Sequence, residues 1–391
     1  MSISVFRTPT ELVTGIGSIA HIGEKAKKLG ATKVLVLTDK VLKQTGLVDK
    51  AVTPLTQAGL PVHVIDEIMQ EPPFENLEQL ASQVRGRGYD VFVGIGGGSV
   101  LDVTKALSIM MTNTGDVRDL VGIDKVAIKG VPFILVPTTS GTGSEVTCNA
   151  IFTDTRDQVK KGIVSPYLLP DVAIVDPELT VTVPPSVTAA TGMDAFVHAV
   201  ESYTAIRANE LTDAIALHAI KLVSRSLRQA VYQGHDLKAR EDMAMGSLLA
   251  GISLGNAGVG AVHALAYPLG GKFKVPHGVA NSLLLPYVMK YNVVSNIPKF
   301  AEVARAMGEN VDGLSLRDAA MQAVHAIAKL SCDVGIPASI RDVGVTEEDI
   351  PALAAEASKI DRLLNNNPRW LTAADIETIY RESFAGKLFL E

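Results

Sequence analysis

The hydrophobic rhythm of the chain changes near its middle. In the first half, short and nearly continuous apolar runs alternate with stretches of helical spacing. Residues 33–38 (KVLVLT) read as a buried strand and residues 61–65 (PVHVI) as the next, with a helical stretch ending at Gly59 between them. Residues 77–84 have helical spacing, and residues 89–95 (YDVFVGI) return to a strand pattern. Further strands are predicted at 133–136, 150–153 and 172–175. Strands alternating with helices specify a parallel sheet covered on both faces. The proline-punctuated segment 177–185 (PELTVTVPP) then reads as a junction. Beyond it, residues 188–203, 210–233 and 237–253 carry long amphipathic helical patterns, and strand signals nearly vanish. The pattern predicts an α/β domain over residues 1–182 and an all-helical domain over residues 183–391. A cleft between the two is the expected ligand site.

Composition narrows the function classes. With 391 residues, 47% hydrophobic and 20% charged, the chain can bury a large core, which argues for two domains and against disorder. The formal net charge is −6, both signs are interspersed, and no Lys/Arg run marks a nucleic-acid or membrane partner. The two cysteines, Cys148 and Cys332, lie far apart without a CxxC, which argues against a disulfide framework and against a thiolate zinc site. The N-terminal residues hold no apolar signal core and no apolar run is long enough to span a bilayer, so a cytoplasmic protein is expected.

Two turns in the first half offer donors for phosphate. Residues 90–105 (DVFVGIGGGSVLDVTK) read as strand, glycine turn and helix. Glycines admit a close backbone approach, and the new helix points unpaired N–H groups and its positive dipole end at an anion. The same three glycines also suit a tight corner, and the GxGxxG fingerprint is absent. The second turn, residues 137–146 (PTTSGTGSEV), packs hydroxyls that suit a pyrophosphate or ribose, or form a polar surface loop. Both turns follow a predicted strand, where open α/β sheets place ligands. Asp39 ends the first clear strand. Its carboxylate suits an adenosine ribose and repels a 2′-phosphate, which favours NAD, and it equally suits an N-cap for the helix that begins at Lys40.

The second half carries a metal-type constellation. Asp194 and His198 stand at i and i+4 of a helical pattern and share one face, as a cation-gripping pair or a chance surface pair would. His263 and His277 follow, each set among small and apolar residues. A buried imidazole needs a partner, and a backbone carbonyl would serve for one alone. With both after the helical pair, a four-ligand site of three imidazoles and one carboxylate becomes reasonable. Such a set suits Fe2+, Zn2+ or another divalent transition metal better than Mg2+ or Ca2+. His21, His63, His218, His235 and His325 lack a comparable setting and read as surface or packing residues, and Cys148 reads as packing.

These segments together resemble the iron-containing (group III) alcohol dehydrogenases. GIGGGSVLDVTKA, PTTSGTGSEVT, ATGMDAFVHAVESY and GAVHALAYPLGGKFKVPHGVAN carry the resemblance in order across nearly the whole chain, and a late NNNPR at residues 365–369 fits as well. The resemblance implies a Rossmann-like nucleotide-binding α/β domain over residues 1–182, an all-helical metal-binding domain over residues 183–391, and metal ligands at Asp194, His198, His263 and His277. It implies cofactor contacts at Asp39, Gly96, Gly97, Gly98, Ser99, Asp102, Thr138, Thr139, Thr142 and Lys160. The activity implied is a metal-dependent, NAD(H)-linked alcohol dehydrogenase or aldehyde reductase for small primary alcohols, diols and their aldehydes, as a homodimer or higher homo-oligomer. The chain departs from the family pattern in two places. Tyr267 stands where many members have a histidine assigned near the nicotinamide or in proton transfer. A tyrosine can donate there, but its ordinary pKa near 10 makes it a poorer relay near neutral pH. Leu254, Gly255 and Asn256 stand where many members have phenylalanine and two asparagines, which alters the pocket's shape. Rival readings are a zinc glycerol-dehydrogenase-like polyol oxidation and a non-catalytic nucleotide-binding protein. A dehydroquinate-synthase chemistry would need a Lys/Arg cluster that the metal segments lack beyond Lys272 and Lys274.

Overall fold

The computed structural model describes residues 3–156, 159–386 and 388. They form two compact units. One spans Arg7–Thr182, and the other runs from Val183 onward and includes the described residues ahead of Arg7.

The first unit is built on six parallel strands. They are β1 (Glu11–Thr14), β2 (Val34–Leu37), β3 (Val62–Ile65), β4 (Val91–Gly96), β6 (Phe133–Pro137) and β9 (Val172–Val175), in the order β1-β9-β6-β4-β2-β3. Every residue of β2, β4, β6 and β9 is buried, which is why they read as continuous apolar runs. Helices α1 (Ile22–Lys28), α2 (Lys40–Gln44), α3 (Asp49–Gln57), α4 (Phe74–Val84) and α5 (Gly98–Met110) connect them. At Gly94 of β4, an added Cβ would lie 2.4 Å from Thr104 Oγ1, so the glycine lets α5 pack directly on the strand.

The strand predicted at 150–153 forms, but outside this sheet. It is β7 (Asn149–Asp154), in a separate three-stranded sheet with β5 (Gly122–Ile123) and β8 (Val159–Val164). Its burial alternates residue by residue, the mark of a strand with one covered face, and it pairs antiparallel with β8. The sequence of β8, VKKGIV, is too polar to show a buried-strand pattern.

The described residues of the second unit contain helices and no strand. The first five are α6 (Pro185–Thr204), α7 (Glu210–Tyr232), α8 (Leu237–Ala257), α9 (Ala261–Phe273) and α10 (His277–Asn292), and others follow between Ile297 and Ala385. From Met193 to Thr204, every residue of α6 is buried. A helix covered all round lies at the centre of its core, so the polar side chains it carries must find partners there. The chain turns by 103° between α8 and α9. Among the described residues no single helix is long and apolar enough to cross a membrane.

Candidate metal centre and nucleotide-binding loops

Three helices deliver the predicted ligands. Asp194 and His198 sit one turn apart on α6, 3% and 4% exposed. His263 lies in the first turn of α9, and His277 is the first residue of α10. Gly278 explains how α10 comes so close to α6. An added Cβ there would stand 2.3 Å from the Ala190 carbonyl oxygen, so only glycine allows this approach. Ligand atoms of Asp194, His263 and His277 all lie within 4.8 Å of one another. His198 is beside them, with Nε2 3.9 Å from Asp194 Oδ1 and its ring stacked on His263 at 5.0 Å between centroids.

The electrostatics suit a cation. Burial raises the Asp194 carboxyl, but the neighbouring His198, His277 and His263, with the Asn281 amide, outweigh it and hold the group below its ordinary value. The carboxylate is therefore the favoured form. The donor set, three imidazoles and one carboxylate, and the spacing of the three clustered ligand atoms fit a divalent transition metal.

Sequence reasoning left two buried neighbours without a role. Asn281, one turn after His277 and fully buried, donates through Nδ2 to Asp194 Oδ1 at 2.8 Å. The same nitrogen lies 3.2 Å from His263 Nε2 and 3.1 Å from His277 Nε2. Its Oδ1 is buried with no hydrogen-bond partner. Glu201, on α6, contacts His263 Nδ1. The available signal was a charged residue inside the apolar run AFVHAVESY, in a segment already marked for its histidine.

Tyr267 lies one turn after His263 on α9, its ring 6.2 Å from that of His277. Burial raises its phenol above the ordinary value despite the opposing charge of Arg362, so it stays a neutral hydroxyl near pH 7.

In the first unit, the two donor loops leave neighbouring strands. β4 and β6 pair directly, and Thr138 N donates to Gly96 O at 3.0 Å. Helix α5 starts at Gly98 with no side chain capping it, which leaves its first N–H groups for a ligand. An added Cβ at Gly98 would meet Thr142 Cγ2 at 2.7 Å, so the two loops close on each other through this glycine. The Ser140 hydroxyl is buried without a hydrogen-bond partner, an orphan that a ligand oxygen would satisfy.

Other predicted cofactor residues are occupied within the protein. Asp39 Oδ1 caps α2 by accepting from Leu42 N at 2.9 Å. Ser99 Oγ accepts from Glu71 N at 3.2 Å. Asp102 accepts from the Ser144 hydroxyl and, at 2.9 Å, from Ile151 N. Lys160 pairs with Glu71 at 3.2 Å. Gly97 has open space around it, with Thr139 the nearest side chain, at 3.7 Å from an added Cβ.

Comparison with known proteins matches these two regions separately. Residues 9–177 match the family model described as iron-containing alcohol dehydrogenase, and residues 188–384 match the C-terminal model of the Fe-containing alcohol dehydrogenase family. The chain is 47% identical to a 1,3-propanediol dehydrogenase of Citrobacter freundii, over 95% of this chain and 96% of that protein. The crystal structure of a 1,3-propanediol oxidoreductase superposes with a TM-score of 0.95 at 44% identity, over 98% of this chain and all of the other. A sulfoacetaldehyde reductase from Bifidobacterium kashiwanohense, solved in complex with NAD+, superposes with a TM-score of 0.89 at 31% identity, over 98% of this chain and all of the other.

Proposed function

The chain belongs to the iron-containing alcohol dehydrogenase family, and from that premise we propose that it interconverts small primary alcohols or diols and their aldehydes with NAD(H) and one divalent cation, Fe2+ in the cell. The observation that carries this reading is the meeting of Asp194, His263 and His277 within 4.8 Å, with His198 against them.

In this reading Asp194, His198, His263 and His277 hold the cation. When bound, it supplies a Lewis acid that stabilises an alkoxide in one direction and polarises an aldehyde carbonyl in the other. Asp194 contributes the one negative charge among the ligands and is kept ionised by its neighbours. Asn281 Nδ2 donates to Asp194 Oδ1 and so fixes that carboxylate's orientation. Tyr267, a neutral phenol near His277, does not act as a base near neutral pH. In the first unit, the uncapped start of α5 and the unpartnered Ser140 hydroxyl, with Thr138, Thr139 and Thr142 around them, would hold the dinucleotide's phosphates, and Asp39 would accept from its ribose. The coenzyme supplies a nicotinamide ring that accepts or returns hydride. A homodimer belongs to the same reading and is measured by light scattering.

The test is anaerobic purification with metal analysis, followed by NADH oxidation at 340 nm across short aldehydes, hydroxyaldehydes and charged aldehydes. The reading expects about one transition metal ion per chain, turnover with some of these aldehydes, loss on chelation and recovery with Fe2+. Full turnover in metal-stripped protein would sink it.

A further inference from the structure

Glu201 is a carboxylate in the middle of a buried apolar helix, 2% exposed, and no part of the reaction above uses it. An ionised group in such a place is retained only where charge-assisted hydrogen bonds compensate its desolvation. Its bonds converge on one target. Oε1 accepts from Gly260 N at 3.1 Å and from Val262 N at 2.8 Å, and Oε2 contacts His263 Nδ1. The carboxylate thus caps the start of α9, where the first N–H groups have no partner within the helix, and holds the side chain of the histidine in that same turn.

The opposite side of this corner is held by a segment that the sequence marked but gave no role. Asn367 Oδ1 accepts from Ala261 N at 3.3 Å, and Asn366 Nδ2 donates to Ala257 O at 2.9 Å and Val259 O at 3.0 Å. The backbone polar groups at the 103° turn between α8 and α9 are therefore met by side chains from α6 and from the NNNPR segment.

We propose that Glu201 is the positioning residue of the metal centre, fixing His263 as the Nδ1–H tautomer with Nε2 turned to the cation, while Asn366 and Asn367 brace the corner that carries it. The inference rests on the metal reading above and deepens it. A carboxylate can only accept, so His263 must place its proton on Nδ1 and its lone pair on Nε2. Nε2 is the atom that lies near Asn281 Nδ2, on the side of the Asp194 and His277 ligand atoms.

The decisive variant is Glu201→Gln, which keeps size and a carbonyl oxygen for the two backbone N–H groups. Its amide nitrogen donates toward His263 Nδ1, which moves the imidazole proton to Nε2 and blocks the metal-binding lone pair. Titration of metal-free protein with Co2+, followed by the visible absorption of the bound ion, should show affinity weakened by about 10–100-fold in Glu201→Gln, with activity recovering at saturating Co2+. Asn367→Ala, which removes a backbone brace and leaves the tautomer alone, should lower the melting temperature and change Co2+ affinity by no more than about threefold. Affinity within twofold of the parent in a folded Glu201→Gln would overturn the proposal. A parent that binds no Co2+ would overturn the metal reading beneath it and the proposal with it. Should Glu201→Gln fail to fold, 15N-histidine NMR of the zinc-loaded parent decides. A hydrogen-bonded, solvent-protected His263 Nδ1–H supports the assignment, and an Nδ1–H that exchanges freely with water overturns it.

Discussion

The helical unit and the sheet unit build their sites from different materials. Around α6, α9 and α10 the candidate ligands are side chains of fixed identity, buried and held by neighbours, as Asp194 is by Asn281 and His263 by Glu201. Around the β4–α5 and β6 loops the groups left for a ligand are mostly backbone N–H groups at an uncapped helix start. Many polar side chains there are already engaged, Asp102 with Ser144 and Ile151, and Ser99 with Glu71. A site made of side chains should fail when one is removed. A site made of backbone should tolerate removal and fail when atoms are added.

The sharpest break of that contrast is His263→Ala. Removing one of three clustered ligand atoms should abolish stoichiometric metal binding and lower kcat/KM by about three orders of magnitude or more, while the circular dichroism spectrum stays native. Metal analysis and steady-state kinetics on the same preparation check it. Retention of both metal and turnover would mean that the cluster does not serve catalysis. No alanine substitution of Ser99 or Thr139 should approach this loss.

Buried charge in the sheet unit predicts a different signature. Glu145, near the end of the second loop and 2% exposed, has its carboxyl pushed up to about 7 by burial, against the opposing pull of a backbone hydrogen bond and the Lys105 charge. Lys105, fully buried, is held below its ordinary value by the same desolvation and donates to Thr147 Oγ1 at 3.1 Å and Asn149 O at 2.9 Å. Below pH 4.5 Glu145 is protonated in both folded and unfolded chains. Between 4.5 and about 7 the folded protein keeps a proton that the unfolded chain has released. Stability from this group is therefore full at acid pH, declines as pH rises through that window and stays lost above it, by up to about 3 kcal/mol. Glu145→Gln removes that decline. Urea unfolding of parent and variant from pH 5 to 8 should show the variant gaining on the parent as pH rises, and parallel profiles would refute the assignment.

Adding atoms to the backbone site is the next smaller effect. Gly98 has no left-handed backbone requirement, so Gly98→Ala tests space alone. Its new Cβ would meet Thr142 Cγ2 at 2.7 Å and force the two loops apart. KM for NADH should rise about tenfold with metal content unchanged. An unaltered KM would place the coenzyme phosphate elsewhere.

The same division explains what could be read in the sequence. The central strands were legible because residues such as Val34–Leu37 are buried on both faces and must be apolar throughout. The cluster of Asp194, His263 and His277, with His198 beside it, was legible because Asp194 and His198 share a helix face, and because histidines in apolar surroundings demand partners. Strand β8 was not, since Lys160 and Lys161 break its pattern and its strand character comes from pairing with β7. Glu201 and Asn367 were visible as residues but not as roles. Glu201 acts on positions some sixty residues away along the chain and Asn367 on one more than a hundred away, and only the fold makes those contacts. Asp102 had a family role in cofactor binding, yet its two oxygens bond within the protein, a use that no spacing reveals.

The finest test concerns Asp39, where the two halves of the contrast meet in one side chain. Its Oδ1 caps α2 through Leu42 N, which is a structural duty, and its charge is what would disfavour a 2′-phosphate. Asp39→Gly would confound these, because the cap disappears with the charge. Asp39→Ser separates them, since serine caps nearly as well as aspartate and carries no charge. The melting temperature should stay close to the parent's, while the preference for NADH over NADPH, taken as the ratio of kcat/KM values, should fall about tenfold, equivalent to about 1.4 kcal/mol. If the ratio holds and the melting temperature drops, Asp39 is a helix cap alone and the choice of coenzyme is made by other residues of the first unit.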